Sequence, residues 1–332
     1  MPRPVKLVIQ IPCFDEEETL PMTVADLPRA VPGVDVVEWL VVDDGSSDRT
    51  VEVARELGVD HVVSHGRNRG LAVAFMTGIE AALGLGADVI VNTDADNQYD
   101  AASIPDLVAP VLSGEAQMVV GERPIEAIDD FSRSKKVLQR LGSSVVRRFS
   151  ATGVRDAASG FRAYSREAAM RVQVFGRYSY TMETIIQAGW NGVPVVSVPV
   201  GVNPKTRDSR LVRSIPQYVW RSSQAIVRSF ALYKPFRFFL AVGAVPFLAG
   251  CLLLARWLAL YVVSDVYTSR LPSLLTGLGL VVVAVQIWSV GFLADLQAAN
   301  RRLLQELRVR EVERRFARPD DRTAGGADGG PD

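Results

Sequence analysis

The chain has 332 residues, 48% of them hydrophobic, and its 37 basic and 37 acidic side chains cancel to a formal net charge of zero. A charged fraction of only 22% excludes a disordered polyelectrolyte. Two distant cysteines (Cys13, Cys251) and two histidines (His61, His65) exclude a disulfide framework and a Cys- or His-rich metal site.

The length suits about two domains. The zero balance hides an order along the chain. Residues 1–200 carry 19 basic and 27 acidic side chains, and residues 201–332 carry 18 and 10. An acidic front suits a cation or nucleotide, and a basic back suits an anionic surface.

The first apolar run, Leu7 to Phe14, is too short for a signal peptide, contains Pro12 and runs into four acidic residues. It reads as a buried strand feeding a loop and a helix. The unit recurs: Trp39–Val42 ends in Asp43-Asp44-Gly45-Ser46-Ser47, with a helix over Thr50–Leu57. Val62–Ser64 leads into the loop Gly66–Gly70 and a helix through Ala82, and Asp88–Asn92 ends in Thr93-Asp94-Ala95-Asp96. Strands alternating with amphipathic helices predict an α/β layer with a largely parallel sheet. Ligands of such sheets bind beyond the carboxyl ends of the strands, where these acidic clusters fall. From 107 to 200 the pattern loosens, leaving a basic segment over 133–148, the loop Asp156–Arg162 and a final strand Val193–Val200.

The chain then changes character. Phe238–Ala255 and Leu271–Ala294 are 18 and 24 residues without a charge, each long enough to cross a hydrocarbon core, which takes roughly 20 helical residues. Arg228, Lys234 and Arg237 precede the first, and Arg301, Arg302 and Arg308 follow the second. The positive-inside rule therefore puts both chain ends in the cytoplasm, at the plasma (inner) membrane. Gln286 is expected to face a neighbouring helix. Between sheet and spans, six basic residues from Lys205 to Arg228 interleave with Tyr218, Trp220, Phe230 and Tyr233. This pattern suits helices lying among lipid headgroups better than nucleic-acid binding. The expected division is a catalytic domain over 1–204, juxtamembrane helices over 205–234, and two transmembrane helices within 235–304 (about 236–263 and 271–295). A basic helix end and disordered tail occupy 305–332. Two isolated spans leave room for a homo-oligomer.

Asp94-Ala95-Asp96-Asn97-Gln98 places two carboxylates at i and i+2 just past a buried strand, with an amide oxygen nearby. Hard oxygen donors of this kind suit Mg²⁺ or Mn²⁺, which would neutralise a departing diphosphate. Taken alone, such a pair is also a common solvated turn. Asp43 and Asp44 could accept hydrogen bonds from a base or ribose, with Gly45 permitting close approach, while Ser47 or Asp48 caps the following helix.

Four motifs then occur in a telling order: Pro12-Cys13-Phe14-Asp15-Glu16-Glu17, Val42-Asp43-Asp44-Gly45-Ser46-Ser47-Asp48, Asp94-Ala95-Asp96-Asn97-Gln98 and Ser159-Gly160-Phe161-Arg162. In that order the chain resembles the family 2 glycosyltransferases of the GT-A (Rossmann-like) fold. With two C-terminal spans it looks like the branch that moves a sugar from a nucleotide onto a polyprenyl phosphate, of dolichyl or undecaprenyl type. Asp15 stands where the family commonly has Asn. The resemblance implies that Pro12, Asp15, Glu17 and Asp44 line the nucleotide pocket and that Asp94, Asp96 and Gln98 hold the metal. It also implies that Arg123, Arg140 with Ser144, Arg207 and Arg210 meet the acceptor phosphate, and that Glu183 contacts the sugar. Asp156 is expected either to orient acceptor or sugar, or to pair with Arg155 or Arg162. His61 and His65 read as surface or strand-end residues, and Cys13 as inert.

The implied partners are a nucleotide-diphosphate sugar, a polyprenyl phosphate and membrane lipid. A phosphate acceptor is already anionic, so the site has to hold two anions together rather than supply a base. Inversion by in-line displacement is expected. Two alternatives remain in view: transfer to a lipid or polysaccharide hydroxyl, and a non-catalytic membrane scaffold that binds nucleotide sugar. The first would need a base, and a polymerase a Gln-x-x-Arg-Trp element absent from the sequence. The second would be favoured by broken acidic motifs, and these are intact.

Overall fold

The computed structural model describes residues 3–124, 143–144, 147, 152–174, 180–204, 224, 235–263 and 271–316. The chain divides into two compact units, one of residues 1–225 with 309–332 and the other of residues 226–308.

In the first unit, β1 (Lys6–Cys13), β2 (Val36–Asp43), β3 (His61–Ser64) and β4 (Val89–Asn92) alternate with α1 (Leu20–Asp26), α2 (Thr50–Glu56) and α3 (Leu71–Gly84). A 3₁₀ turn at Ala101–Ser103 feeds α4 (Ile104–Leu112). Then come β5 (Met118–Glu122), β6 (Arg162–Ser165), α5 (Arg166–Arg171), α6 (Thr181–Trp190) and β7 (Val195–Pro199). The strands form one sheet in the order β3-β2-β1-β4-β6-β5-β7. β1 is buried along nearly its whole length, as its apolar run, interrupted only by Gln10, requires for a strand covered on both faces. Among its core residues are Leu7, Ile9 and Ile11, packed with Leu20, Val41, Val91, Leu107 and Phe161.

One topological feature positions the site. β1 to β4 pair in parallel. β6 is antiparallel to both β4 and β5, and β5 is parallel to β7. The two reversals cancel, so six strands end on the edge where β6 begins. The segments 14–19, 44–49, 65–70 and 93–100, Arg123 after β5, and 156–161 before β6 therefore open on one edge. The expected largely parallel sheet is found, with β6 as the one reversed strand among the described residues. β5 and β6 are five and four residues long, too short to stand out in the stretch where the sequence pattern loosens.

The second unit holds α7 (Pro235–Val263) and most of α8 (Leu271–Phe316). Both are long and apolar enough to cross a membrane, and only 11% and 17% of their most apolar windows are buried. Leu252 and Val262 are 71% and 74% exposed, which distinguishes these helices from the covered core helices of a soluble domain. Within the unit, the Trp288 indole N–H donates to the Leu240 carbonyl at 3.2 Å, and its ring lies 5.0 Å from that of Phe247. Gln286, expected to face a neighbour, is exposed; the contact is made one turn away by Ala284 and Trp288, which close on Gly243.

Candidate active site

The first two acidic motifs lace two loops together. The Asp15 carboxylate accepts from the Ser47 backbone N–H at 2.7 Å and from its hydroxyl at 3.2 Å, and the Asp15 N–H donates to the Ser46 hydroxyl at 2.9 Å. Glu17 accepts from the Arg49 N–H at 3.0 Å, while its own N–H donates to Asp48 at 3.1 Å. Partial burial alone would raise the Asp48 pKa, but hydrogen bonds from Thr50 and the Glu17 backbone hold it below the ordinary carboxylate value. Pro12 and Asp43 are buried at the ends of β1 and β2, and Asp43 accepts from the Ser46 N–H at 3.0 Å. Asp15 sits at φ 53°, a left-handed conformation that Asn and Asp tolerate best. That suits either residue at this position.

Asp44 is buried and already engaged. Its carboxylate accepts from the Arg69 and Gly70 backbone N–H groups at 2.9 and 2.7 Å and meets His65 Nδ1 at 2.7 Å, while His65 Nε2 meets the Thr77 hydroxyl at 3.0 Å. His65 stands at a strand end, as expected, but its side chain is only 7% exposed. It ties α3 to the carboxylate that gathers the 65–70 loop. Gly45 (φ +77°) is held beneath that loop, where a Cβ would stand 2.4 Å from the Arg67 carbonyl carbon, so backbone packs on backbone. His65→Ala is expected to cost about 1–3 kcal/mol, the penalty for a buried acceptor losing its partner. It is also expected to speed amide exchange at Arg69 and Gly70, which hydrogen exchange would read; unchanged exchange would remove the clamp role.

Asp94, Asp96 and Gln98 follow β4, all half-buried on the shared edge. Asp96 accepts from the Gln98 N–H at 3.3 Å, across Asn97 at φ 52°. Among the described residues none donates to Asp94. Burial, and after it the Asp96 carboxylate, push the Asp94 pKa up to about 7. A carboxylate without a donor, set against the charge of a second, is what a divalent cation relieves, so the donor set fits Mg²⁺ or Mn²⁺. No three His, Cys, Asp or Glu gather into a ligand set among the described residues. A cation here would complete its shell with the Gln98 amide, water and donor oxygens.

Arg123 and Asp156 meet across the edge. Arg123 Nε and Nη2 donate to the two Asp156 oxygens at 2.7 and 3.1 Å, a bidentate pair in which Asp156 is fully buried. Of the two roles expected for Asp156 the ion pair is present, with Arg123 rather than Arg155 or Arg162 as its hydrogen-bonded partner. Arg155 is solvent-facing beside Glu122. Arg162 is fully buried and donates to the Ser159 and Ala157 carbonyls at 2.8 and 3.1 Å and to the Thr184 hydroxyl at 2.6 Å. Arg123 lies 6.0 Å from the centre of the Tyr99 ring. Burial alone would weaken its hold on the proton, but Tyr99 and Asp156 hold it more firmly protonated than usual.

Of the Ser143-Ser144 pair, Ser144 is exposed, while the buried Ser143 hydroxyl accepts from the Ala157 N–H at 3.3 Å. Glu183 is half-buried in the first turn of α6. Arg140, Arg207 and Arg210 lie outside the described residues, as do most of the expected juxtamembrane helices. Cys13 is buried, and burial, then the charges of Glu16, Asp43 and Asp48, raise its thiol pKa, consistent with an inert residue.

The sequence reading missed Gln10, Asn92, Tyr99 and Tyr180, which link the motifs from beneath. Gln10 and Asn92 carried a signal: amides within buried strands need partners, and they bond to each other at 2.8 Å.

Residues 8–172 match the model of glycosyl transferase family 2. The polyprenol monophosphomannose synthase of Mycolicibacterium smegmatis is 30% identical over 206 residues, covering 59% of this chain and 76% of that protein. The undecaprenyl-phosphate mannosyltransferase of Micrococcus luteus is 28% identical, covering 59% and 83%. The dolichol-phosphate mannosyltransferase of Pyrococcus furiosus is 28% identical, covering 65% and 62%. In fold, the chain is similar to glucosyl-3-phosphoglycerate synthase from Mycobacterium tuberculosis, solved with Mn²⁺, UDP and glucosyl-3-phosphoglycerate. That likeness has a TM-score of 0.54 at 20% identity and covers 68% of this chain and 79% of the other. With its four motifs assembled on one edge of a mixed sheet of GT-A type, the chain belongs to glycosyl transferase family 2.

Proposed function

We propose that the protein transfers a sugar from a nucleotide-diphosphate sugar to a polyprenyl phosphate at the cytoplasmic face of a membrane. The observation that carries this reading is the juxtaposition at one sheet edge of two neighbouring carboxylates, Asp94 (with no donor among the described residues) and Asp96, and the guanidinium of Arg123. The first attracts a cation and, through it, a diphosphate; the second attracts an anion directly. The relatives named for transfer to polyprenol, undecaprenyl phosphate and dolichol phosphate support the acceptor class.

Asp94, Asp96 and Gln98 would hold Mg²⁺ or Mn²⁺, which supplies charge neutralisation to a departing nucleoside diphosphate. The laced loops 14–19 and 43–49 form the wall against which the nucleotide lies, with Pro12, Asp15, Glu17, Asp43 and Asp44 shaping it. Asp156 occupies Nε and Nη2 of Arg123, while Nη1 makes no bond among the described residues and is left for the acceptor phosphate. Arg140, Arg207 and Arg210 are further cations suited by charge to an anionic acceptor, and Glu183 meets the sugar. Because Asp156 is spent on Arg123, it is a positioning residue. A phosphate acceptor needs no base in its place, which favours it over a hydroxyl acceptor. The two apolar helices anchor the chain beside its lipid substrate, and both chain ends face the cytoplasm.

The test is transfer of radiolabel from a panel of GDP- and UDP-sugars to a polyprenyl phosphate, using the full chain in membranes with Mg²⁺ or Mn²⁺. Label moving only to a polyprenol or diacylglycerol hydroxyl would overturn the acceptor class. The same assay carries a pH prediction. With Asp94 protonating near 7, the cation competes with a proton below that pH, and its half-saturating concentration is expected to rise about tenfold per unit. A half-saturating concentration that stays flat from pH 8 to 5.5 would remove Asp94 from the cation site.

A further inference from the structure

Behind Asp94 lies a piece of backbone held with unusual completeness. The Gly160 N–H donates to the Tyr99 hydroxyl at 2.9 Å, and its carbonyl accepts from the Asn92 amide at 2.9 Å and from the Tyr180 hydroxyl at 3.4 Å. Asn92 also donates to the Tyr180 oxygen at 2.8 Å, and Gln10 fixes Asn92 from below. Each of these holders is itself pinned. The Tyr180 ring stacks on Phe75 at 3.9 Å with 3° between planes, and the Tyr99 ring lies 5.0 Å from Phe161. Two residues on, Arg162 spends its buried guanidinium on the Ala157 and Ser159 carbonyls and on Thr184.

Gly160 is absent from the positive-φ glycines of the chain. Its lack of a side chain therefore answers a need for space, not for conformation. A Cβ there would stand 2.8 Å from the Tyr180 oxygen and 3.1 and 3.2 Å from the two Asp94 carboxylate oxygens, closer than ordinary van der Waals contact. The bare Cα thus faces the carboxylate with carbon rather than a donor. Both Asp94 oxygens keep their lone pairs for the cleft.

We propose that Gly160, held by Asn92, Tyr99 and Tyr180, is the positioning residue for Asp94: its backbone is the rear wall that sets where the carboxylate stands for the cation. The inference rests on the cation reading above. Supporting groups behind a metal ligand, when altered, typically cost about 10–100-fold in metal affinity.

The experiment titrates Mn²⁺ into the full-length protein in detergent by calorimetry and melts the same samples without metal. Gly160→Ala is expected to weaken Mn²⁺ binding at least about tenfold. Because the alanine also presses on Tyr180, the decisive comparison is Gly160→Ala/Tyr180→Phe against Tyr180→Phe, which lacks the nearest clashing oxygen. The double variant is expected to melt close to its Tyr180→Phe reference and still bind Mn²⁺ about tenfold more weakly. A double variant that binds as tightly as Tyr180→Phe overturns the positioning role. Wild-type protein that takes up no Mn²⁺ overturns the cation reading itself, and the two failures are distinguishable.

Discussion

Asp94→Asn is expected to lower sugar transfer by about 10²–10³-fold, the usual effect of losing one preorganised electrostatic group, while the metal-free protein becomes more stable. The two effects have one cause. The Asp94 carboxyl is raised to about 7 by burial and then by Asp96, so near neutral pH and above it the folded state holds a charge that costs free energy. A group whose folded pKa exceeds its unfolded value contributes stability that is fully present below the unfolded pKa. That contribution is lost as pH rises through the folded one. The metal-free wild type should therefore lose stability between about pH 4 and 7, and the amide variant should not. Because the carboxylate opens on the cleft, water screens part of the cost, and the gain in Asp94→Asn is about 1–2 kcal/mol rather than the full equivalent of the shift. Thermal melts in detergent at pH 5 and pH 8 read this directly, alongside the radiolabel assay. An asparagine variant that keeps wild-type transfer would end the assignment of Asp94 to the cation.

Asp156→Ala is expected to be the most destabilising single change at the site, by about 3–5 kcal/mol, because it leaves the largely buried Arg123 guanidinium without its counter-charge. Asp156 is fully buried and gives both oxygens to Arg123. The pair is not itself a large net source of stability: two well-packed apolar residues of similar volume hold such a site about as well. Arg123→Met/Asp156→Leu should therefore recover most of the lost melting temperature and none of the transfer activity, which separates anion binding from stability. Arg123→Lys should fold but transfer poorly, since an ammonium cannot reproduce the planar fork that spans both Asp156 oxygens. If Asp156→Ala melts with the wild type, water solvates Arg123 as well as the carboxylate pairs it, and Asp156 has no positioning role.

The acidic motifs were legible because each follows a buried apolar strand, a local pattern that period and punctuation reveal. The carboxylates of Asp15, Glu17 and Asp44 read equally well as ligands of a nucleotide. Only the packing of loop on loop shows how many of their oxygens are already bonded to backbone N–H groups. The burial of His65 at its strand end was hidden for the same reason. A lone histidine after a four-residue strand carries no mark of burial, which comes from Thr77 on a helix twelve residues later. Arg123 and Asp156 are 33 residues apart, and the short strands β5 and β6 that bring them together have no periodicity of their own to announce them.

Some properties were carried by the sequence alone. The apolar runs 238–255 and 271–294 are continuous in the chain, and a helix satisfies its own backbone, so their ability to cross a membrane needs no tertiary contact. The order of charge, acidic over 1–106 with 7 basic and 19 acidic residues, likewise follows from composition. Which carboxylate is free and which is spent depends on distances between segments far apart in sequence. Asp94 and Asp156 are the same residue type, each at least partly buried and each beside a basic or acidic partner. The reversed strand β6 puts a bare Gly160 behind one and an arginine before the other, leaving the first open to a cation and the second neutralised. That difference is one of packing and electrostatics across the sheet edge, and only the tertiary structure decides it.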